Sequence, residues 1–170
     1  MNSSLTINNI VRFFALLFVQ VLLLANVQVS TYISFFIYPM FLLLLPIRTP
    51  RALQVFLAFL LGLLIDVFYN TPGLHAAAST FTAYMRDAIL RIIEPRGGYT
   101  SDKTPNRRLF GDQWFWQYAA VLLFVHLVAY SFLEEFAFSV SFVFIERLLL
   151  SYIFSLIIVI LPQYILPAKR

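Results

Sequence analysis

"LLGLLIDVFYNTPGLHAAAS" runs from Leu60 to Ser79. It places a carboxylate, Asp66, and an imidazole, His75, on either side of a Pro-Gly turn, with long apolar runs beyond both. Asn70, Pro72 and Gly73 suit a tight reversal, so the stretch reads as two helical arms joined by a short turn. Gly62 and Asp66 are four residues apart and share a face of the first arm. His75 opens the second arm. Both ionisable groups then lie at similar depth, one on each arm, and the medium around the arms decides what they cost.

The composition identifies that medium. Of 170 residues, 61% are hydrophobic and 12% are charged, whereas soluble domains average about a quarter charged. Nineteen phenylalanines and a mean hydropathy of +0.85 point the same way. No soluble fold of this length could hide so much apolar surface. The chain reads as all-α, a polytopic integral membrane helical bundle forming a single transmembrane domain over residues 1–170. There is no cysteine, which excludes disulfides and thiolate metal sites. The two histidines are far apart in sequence, so no metal and no cofactor is expected. The net charge of +4 sits in loops, where it orients a membrane protein and says little of nucleic acid. The N-terminal "MNSSLTINNIVRFF" lacks a charged n-region and a small-residue cleavage site, so the first apolar stretch is expected to remain as a span.

A crossing helix needs about 20 residues. Six candidates cover about residues 8–27, 31–45, 52–68, 74–93, 114–133 and 140–161. The second is short and contains Pro39. A continuous helix from Arg12 to Arg48 would be about 54 Å long, too long for one crossing. Two short or tilted helices bent near Asn26 to Thr31 fit better, with a re-entrant pair as the competing reading. With both termini cytoplasmic, the inner segments and adjoining helix ends collect Arg12, Arg48, Arg51, Arg91, Arg96, Lys103, Arg107, Arg108, Lys169 and Arg170. The outer loops near 28–31, 69–73 and 134–139 hold no Lys or Arg, which satisfies the positive-inside rule. Arg147 is the exception, with Glu146 beside it. The cytoplasmic loop 94–113, "EPRGGYTSDKTPNRRLFGDQ", is the one sizeable polar stretch, and its Pro and Gly residues argue for irregular chain. Trp114 and Trp116 mark the interface where the fifth span begins.

Three readings of Asp66 and His75 stand open: a snorkelling carboxylate with a helix-capping His75, a buried Asp–His contact pinning the hairpin, or a proton relay or ligand site. The fourth span carries Ser79, Thr80, Thr82, Arg86 and Asp87 among small residues that allow close helix approach. It is expected at the centre of the bundle. Arg86 shares a face with His75 about 16 Å further along, and needs a partner or an aqueous cleft. Asp87 points about 100° away and is a poor partner. His126, alone in the fifth span, reads as hydrogen-bonded packing. Glu134 and Glu135 read as a solvated outer loop, and the sixth span as a lipid-facing wall. No Walker loop, G-x-S-x-G, H-E-x-x-H or nucleotide fingerprint occurs, and no carboxylate pair converges on one helix face. The chain is read as no enzyme.

"FLAFLLGLLIDVFYNTPGLHAAASTFTAYMR", from Phe56 to Arg86, resembles the rod shape-determining MreD family. The shared pattern is a Gly-x-x-x-Asp helix, a turn with Gly-x-His, and a small-residue helix: here Gly62, Asp66, Gly73 and His75. "MRDAILRIIEPRGGY" and "GDQWFWQY" look like the Bacteroidetes-type branch, and the length and span pattern agree across the chain. The short second span departs from the pattern. The resemblance implies a bacterial inner-membrane protein beside the bitopic MreC, in the elongation machinery that links the actin-like MreB to peptidoglycan synthesis by RodA and a class B penicillin-binding transpeptidase. It also implies a fold similar to the membrane substrate-binding subunits of vitamin-uptake transporters. That supplies a rival function, small-molecule binding at an outward pocket to which Asp66, His75, Ser79 and Tyr84 would contribute.

Overall fold

A computed structural model describes residues 3–24, 33–99, 104–135 and 141–165. The described chain is all-helical: α1 (Ser3–Phe18, continued by a π-helical turn Val19–Leu23), α2 (Met40–Leu43), α3 (Arg51–Tyr69), α4 (Leu74–Ile92), α5 (Arg107–Phe110), α6 (Asp112–Glu135) and α7 (Phe142–Ile165). Among the described residues, four helical stretches are long and apolar enough to cross a membrane: Thr6–Leu23, Arg51–Tyr69, Asp112–Glu135 and Phe142–Ile165. This is a multi-pass membrane protein. Its large exposed apolar residues, among them Phe56, Val67, Phe81, Phe142 and Ile157, form an outward surface matched to lipid and not to water.

α4 equals α3 in length, at 19 residues, but its hydroxyls and charges leave it too polar to belong with those four. It compensates by burial. His75, Ala76, Ala78, Ser79, Thr82, Ala83, Arg86, Ile89 and Leu90 are all inside, so α4 is the central helix that its small and polar residues predict. α6 packs on it through Tyr118, Leu122, His126 and Tyr130, a stripe at four-residue spacing. α7 buries little, chiefly Phe144, Ser151, Ser155, Val159 and Ile160, and is the lipid-facing wall.

The expected helical second span over 31–45 is corrected. Residues 33–37 carry no helix, Tyr38 and Pro39 form a turn, and α2 is a single helical turn. Two prolines explain this. Pro39 lacks an N–H and its ring excludes a preceding helical turn, so the helix can start only there. Pro46 disfavours the helical region for the residue before it. The stretch between them has room for one turn. Residues 36–45 are nonetheless all buried, which makes this irregular stretch the innermost layer of the bundle.

Buried non-helical backbone must find partners within the protein, and here side chains supply them. Ser151 Oγ accepts from the Ser34 N–H and Ser155 Oγ from the Phe36 N–H, each at 3.0 Å. Gln20, turned inward by the π-helical turn, accepts from the Ile37 N–H at 2.9 Å and donates to the Phe35 carbonyl at 2.9 Å. Arg12 donates to the Leu44 carbonyl at 2.8 Å. α3 begins and ends one residue beyond 52–68, α4 ends one residue short of 93 and α6 extends two residues beyond each end of 114–133, whereas α1 starts at Ser3, five residues before the expected 8. α7 continues to Ile165 with Pro162 inside. The bend expected near Asn26 to Thr31 lies outside the described residues, as do Lys103, Lys169, Arg170 and residues 136–140. The segment between α4 and α6 holds the short α5, capped by the Asn106 side chain on the Leu109 N–H. Its Tyr99 hydroxyl donates to the Leu90 carbonyl at 2.7 Å, and Trp114 Nε1 donates to the Ile93 carbonyl at 2.8 Å, which closes the C-terminal end of α4. Burial pushes the Tyr99 pKa up to about 12, so its hydroxyl stays a donor at neutral pH.

Candidate functional site

The turn after α3 begins with Asn70 in the left-handed region (φ 54°) and ends at Gly73 (φ 82°), the N-cap position of α4. Gly73 has no side chain with which to cap. Asp66 does it from the neighbouring helix. Its Oδ1 accepts from the His75 backbone N–H, from His75 Nδ1 and from Thr71 Oγ1, each at 2.9 Å. Its Oδ2 accepts from the Ala76 N–H at 2.9 Å. His75 and Ala76 are the second and third residues of α4, the positions whose N–H groups an ordinary capping side chain would take. A carboxylate there also faces the positive end of the helix dipole.

Gly62 makes this possible. A Cβ on it would lie 2.5 Å from both the Ala76 Cα and the His75 carbonyl oxygen. Without one, the start of α4 rests on α3 one turn from Asp66, within reach of its carboxylate. The Gly-x-x-x-Asp and Gly-x-His positions are therefore one geometric unit. Asp66 and His75 are both buried: the buried-contact reading holds and the snorkelling one does not.

The His75 ring lies among those of Phe36, Tyr38, Tyr69 and Tyr130, whose centroids are 5.0–6.3 Å from its own. Among the described residues, His75 Nε2 and Ser79 Oγ are buried without a hydrogen-bond partner. Further along the same face, Thr82 Oγ1 donates to the Ala78 carbonyl at 2.7 Å. Its lone pair thus accepts from His126 Nδ1 at 2.9 Å, which leaves His126 Nε2 to accept from the Tyr38 hydroxyl at 2.6 Å. His126 is hydrogen-bonded packing, as its setting predicts, but it also ties the irregular stretch to α4.

Arg86 completes the stripe 75–79–82–86. It is fully buried. Its Nε donates to the Tyr118 hydroxyl at 2.9 Å, Nη1 to Gln54 Oε1 at 3.1 Å, and Nη2 to the Leu45 carbonyl and, at 3.5 Å, to the Pro46 carbonyl. All these partners are neutral. The nearest carboxylate in the chain of bonds is one link away, because Gln54 Nε2 donates to Asp87 Oδ1 at 3.1 Å. Asp87 itself pairs with Arg51 at 3.0 Å, so its poor fit to Arg86 is borne out. Arg147 pairs with Glu134 at 2.9 Å and not with the adjacent Glu146, and Glu134 ends α6 partly buried instead of lying in a solvated loop.

The chain matches no protein-family model, no curated protein and no solved structure.

What the arrangement can do chemically follows from its own bonds. Among the described residues no three His, Asp or Glu side chains converge. Asp66 and Arg86 are both fully engaged. The four groups that would line a small-molecule pocket do not meet: Tyr84 is exposed, under the Arg51 guanidinium at 5.1 Å, while Asp66, His75 and Ser79 are inside. Sequence reasoning missed Gln20, Gln54, Ser151, Ser155, Tyr38 and Tyr118. For the two glutamines the signal was present: each is an amide set between apolar neighbours within a span, and such amides in lipid seek an interhelical bond.

Proposed function

We propose that this chain is a non-enzymatic scaffold of the bacterial cell-elongation machinery. It is an MreD-like inner-membrane protein that binds a bitopic MreC-like partner and thereby links the actin-like cytoskeleton to peptidoglycan synthesis by RodA and a class B transpeptidase. The observation that carries this reading is the engagement of Asp66. Three of its four bonds hold the start of α4 to α3, and the fourth holds Thr71 in the turn between them. A protein whose buried charges are occupied in this way acts through its surfaces. The family itself is carried by the Gly62, Asp66, Gly73 and His75 pattern alone.

In this reading both termini are cytoplasmic and the chain crosses six times. The second crossing is the buried stretch 33–46, which runs from the level of Ser151 and Gln20 to that of Arg86. The basic residues at 48, 51, 96, 107 and 108 support that orientation. The test is co-purification from native membranes with an MreC-like protein, using wild type and a variant with residues 100–105 replaced by a Gly/Ser linker. The complex is expected to survive in the variant, because contacts in the membrane and at the outer face supply most of the binding. Absence of any such partner from the wild-type complex would refute the scaffold reading. A periplasm-active reporter fused at Asn106 or Arg170 is expected to be silent, and activity of either fusion would refute the orientation.

A further inference from the structure

Three side-chain polar atoms among the described residues are buried with no hydrogen-bond partner: His75 Nε2, Ser79 Oγ and Thr80 Oγ1. The first two belong together. His75 and Ser79 are four residues apart on α4, so they share one face, with Cβ atoms about 5–6 Å apart. Thr80 points about 100° away round the helix and is no part of the cluster. His75 and Ser79 are 0% and 1% exposed, and they do not bond each other directly. The bond directions around them define what they need. Asp66 Oδ1 takes the Nδ1 proton of His75, so Nε2 is a bare lone pair that can only accept. On the other side, Thr82 Oγ1 accepts from His126 Nδ1, and the Tyr38 hydroxyl gives its proton to His126 Nε2. The Tyr38 oxygen is then also limited to accepting, and it approaches the Ser79 hydroxyl. Two acceptors lie beside one proton, that of Ser79, which cannot serve both.

A water molecule has the matching set of two protons and free lone pairs. It can donate to His75 Nε2 and to the Tyr38 oxygen and accept from Ser79 Oγ, which makes three bonds, the usual number for a buried water. Two hydrogen bonds of about 2.8 Å in series reach about 5.6 Å, the spacing of side chains one helical turn apart. The surroundings exclude other ligands. The rings of Phe36, Tyr69 and Tyr130 also enclose the imidazole, so the ligand must be small, and among the described residues no third His, Asp or Glu joins Asp66 and His75 to hold a metal ion. We propose that α4 binds one structural water between His75, Ser79 and Tyr38. Donors then run outward from it in both directions: through His75 to Asp66, and through Tyr38 and His126 to Thr82 and the Ala78 carbonyl. The water joins the Asp66 hairpin and the stretch 33–46 into one hydrogen-bonded unit.

The site goes beyond the scaffold reading and stands or falls without it. The test is solid-state NMR of the full chain in lipid bilayers, with carbonyl-labelled leucine and nitrogen-labelled histidine. Leu74–His75 is the one Leu-His pair in the sequence, because His126 follows Val125, so the two imidazoles are told apart directly. Wild type is expected to show a proton on His75 Nδ1, none on Nε2, and transfer of magnetisation from a slowly exchanging water to Nε2. Ser79→Val removes the hydroxyl and fills its place, and is expected to lose that transfer. Its Nδ1 proton and the bond to Asp66 are expected to stay, which reports that the hairpin is intact. Ser79→Ala removes one of the three bonds without filling the space, and its water is expected to exchange faster. Absence of water transfer to Nε2 in wild type would overturn the proposal, whatever the variants do. So would a proton on Nε2, or transfer that is unchanged in both variants.

Discussion

The two ends of α4 each bury a charge, and they satisfy it by different routes. At the N-terminal end Asp66 meets the first free N–H groups of the helix, all within ten residues of it in sequence. At the other end Arg86 meets the carbonyls that close the irregular stretch, an amide from α3 and a phenol from α6. Both exploit backbone groups that regular structure leaves unpaired. They differ in range. The Asp66 site closes inside one hairpin and needs only α3 and α4. The Arg86 site exists only when three helices and the stretch 33–46 are together. The first builds a local unit, and the second registers the finished bundle.

Removing the long-range site is expected to cost most. Arg86→Leu leaves the Leu45 carbonyl, Gln54 and Tyr118 without their donor. The expected loss is about 3–5 kcal/mol, from three buried neutral groups left unpaired at about 1–3 kcal/mol each, and is measured as melting temperature in detergent and as abundance in the membrane. Arg86→Lys should lie between the two, because an ammonium keeps the charge but cannot reach in three directions as a planar fork does. A wild-type melt for Arg86→Leu would erase the distinction between the two ends.

The local site comes next. Asp66→Leu strands the N–H groups of His75 and Ala76, with a cost on the order of 3 kcal/mol given about 1–3 kcal/mol per unpaired buried group. Asp66→Asn keeps one acceptor oxygen and should be better tolerated. If both variants accumulate and melt normally while partner capture is lost, the charge is used for something other than the cap. Gly62→Ala tests the same unit sterically. Its methyl would sit 2.5 Å from α4 backbone, and the hairpin must open to admit it, at about 1–3 kcal/mol. The smallest effect belongs to the rim. Asp87→Asn removes an ion pair with Arg51, whose side chain is 44% exposed, so the expected change is below about 1 kcal/mol. A loss as large as that of Arg86→Leu would mean that Arg86 depends on Asp87 through Gln54.

The same difference in range decides what could be read in advance. The placing of Asp66 and His75 at one depth on facing arms was legible because a Pro-Gly turn brings them together within nine residues, while their contact was one of three open readings. α3, α6 and α7 were legible because apolar runs of that length have few alternatives in a membrane, and α4 because its small and polar residues follow directly on the turn. The partners of Arg86 were not, since Leu45, Gln54 and Tyr118 lie 32 to 41 residues away and nothing local selects them. The stretch 33–45 misled because its hydrophobicity is that of a span. Hydrophobicity reports burial in an apolar medium, and a segment wrapped by helices meets that requirement as well as one facing lipid. Pro39 and Pro46 together were the clue to the backbone, since the six residues between them admit one helical turn.

The central claim is that the polar side chains inside this bundle hold a non-helical segment against α4, α6 and α7. The chain has no cysteine, so a single introduced pair reports without background. Ser34→Cys with Ser151→Cys, oxidised in native membranes, tests the contact in which Ser151 Oγ accepts from the Ser34 N–H. The predicted result is an intramolecular disulfide in the double variant, with slow labelling of Cys-substituted position 151 alone by a membrane-permeant maleimide. No disulfide, together with rapid labelling of both single variants, would place the segment outside the bundle and contradict the account.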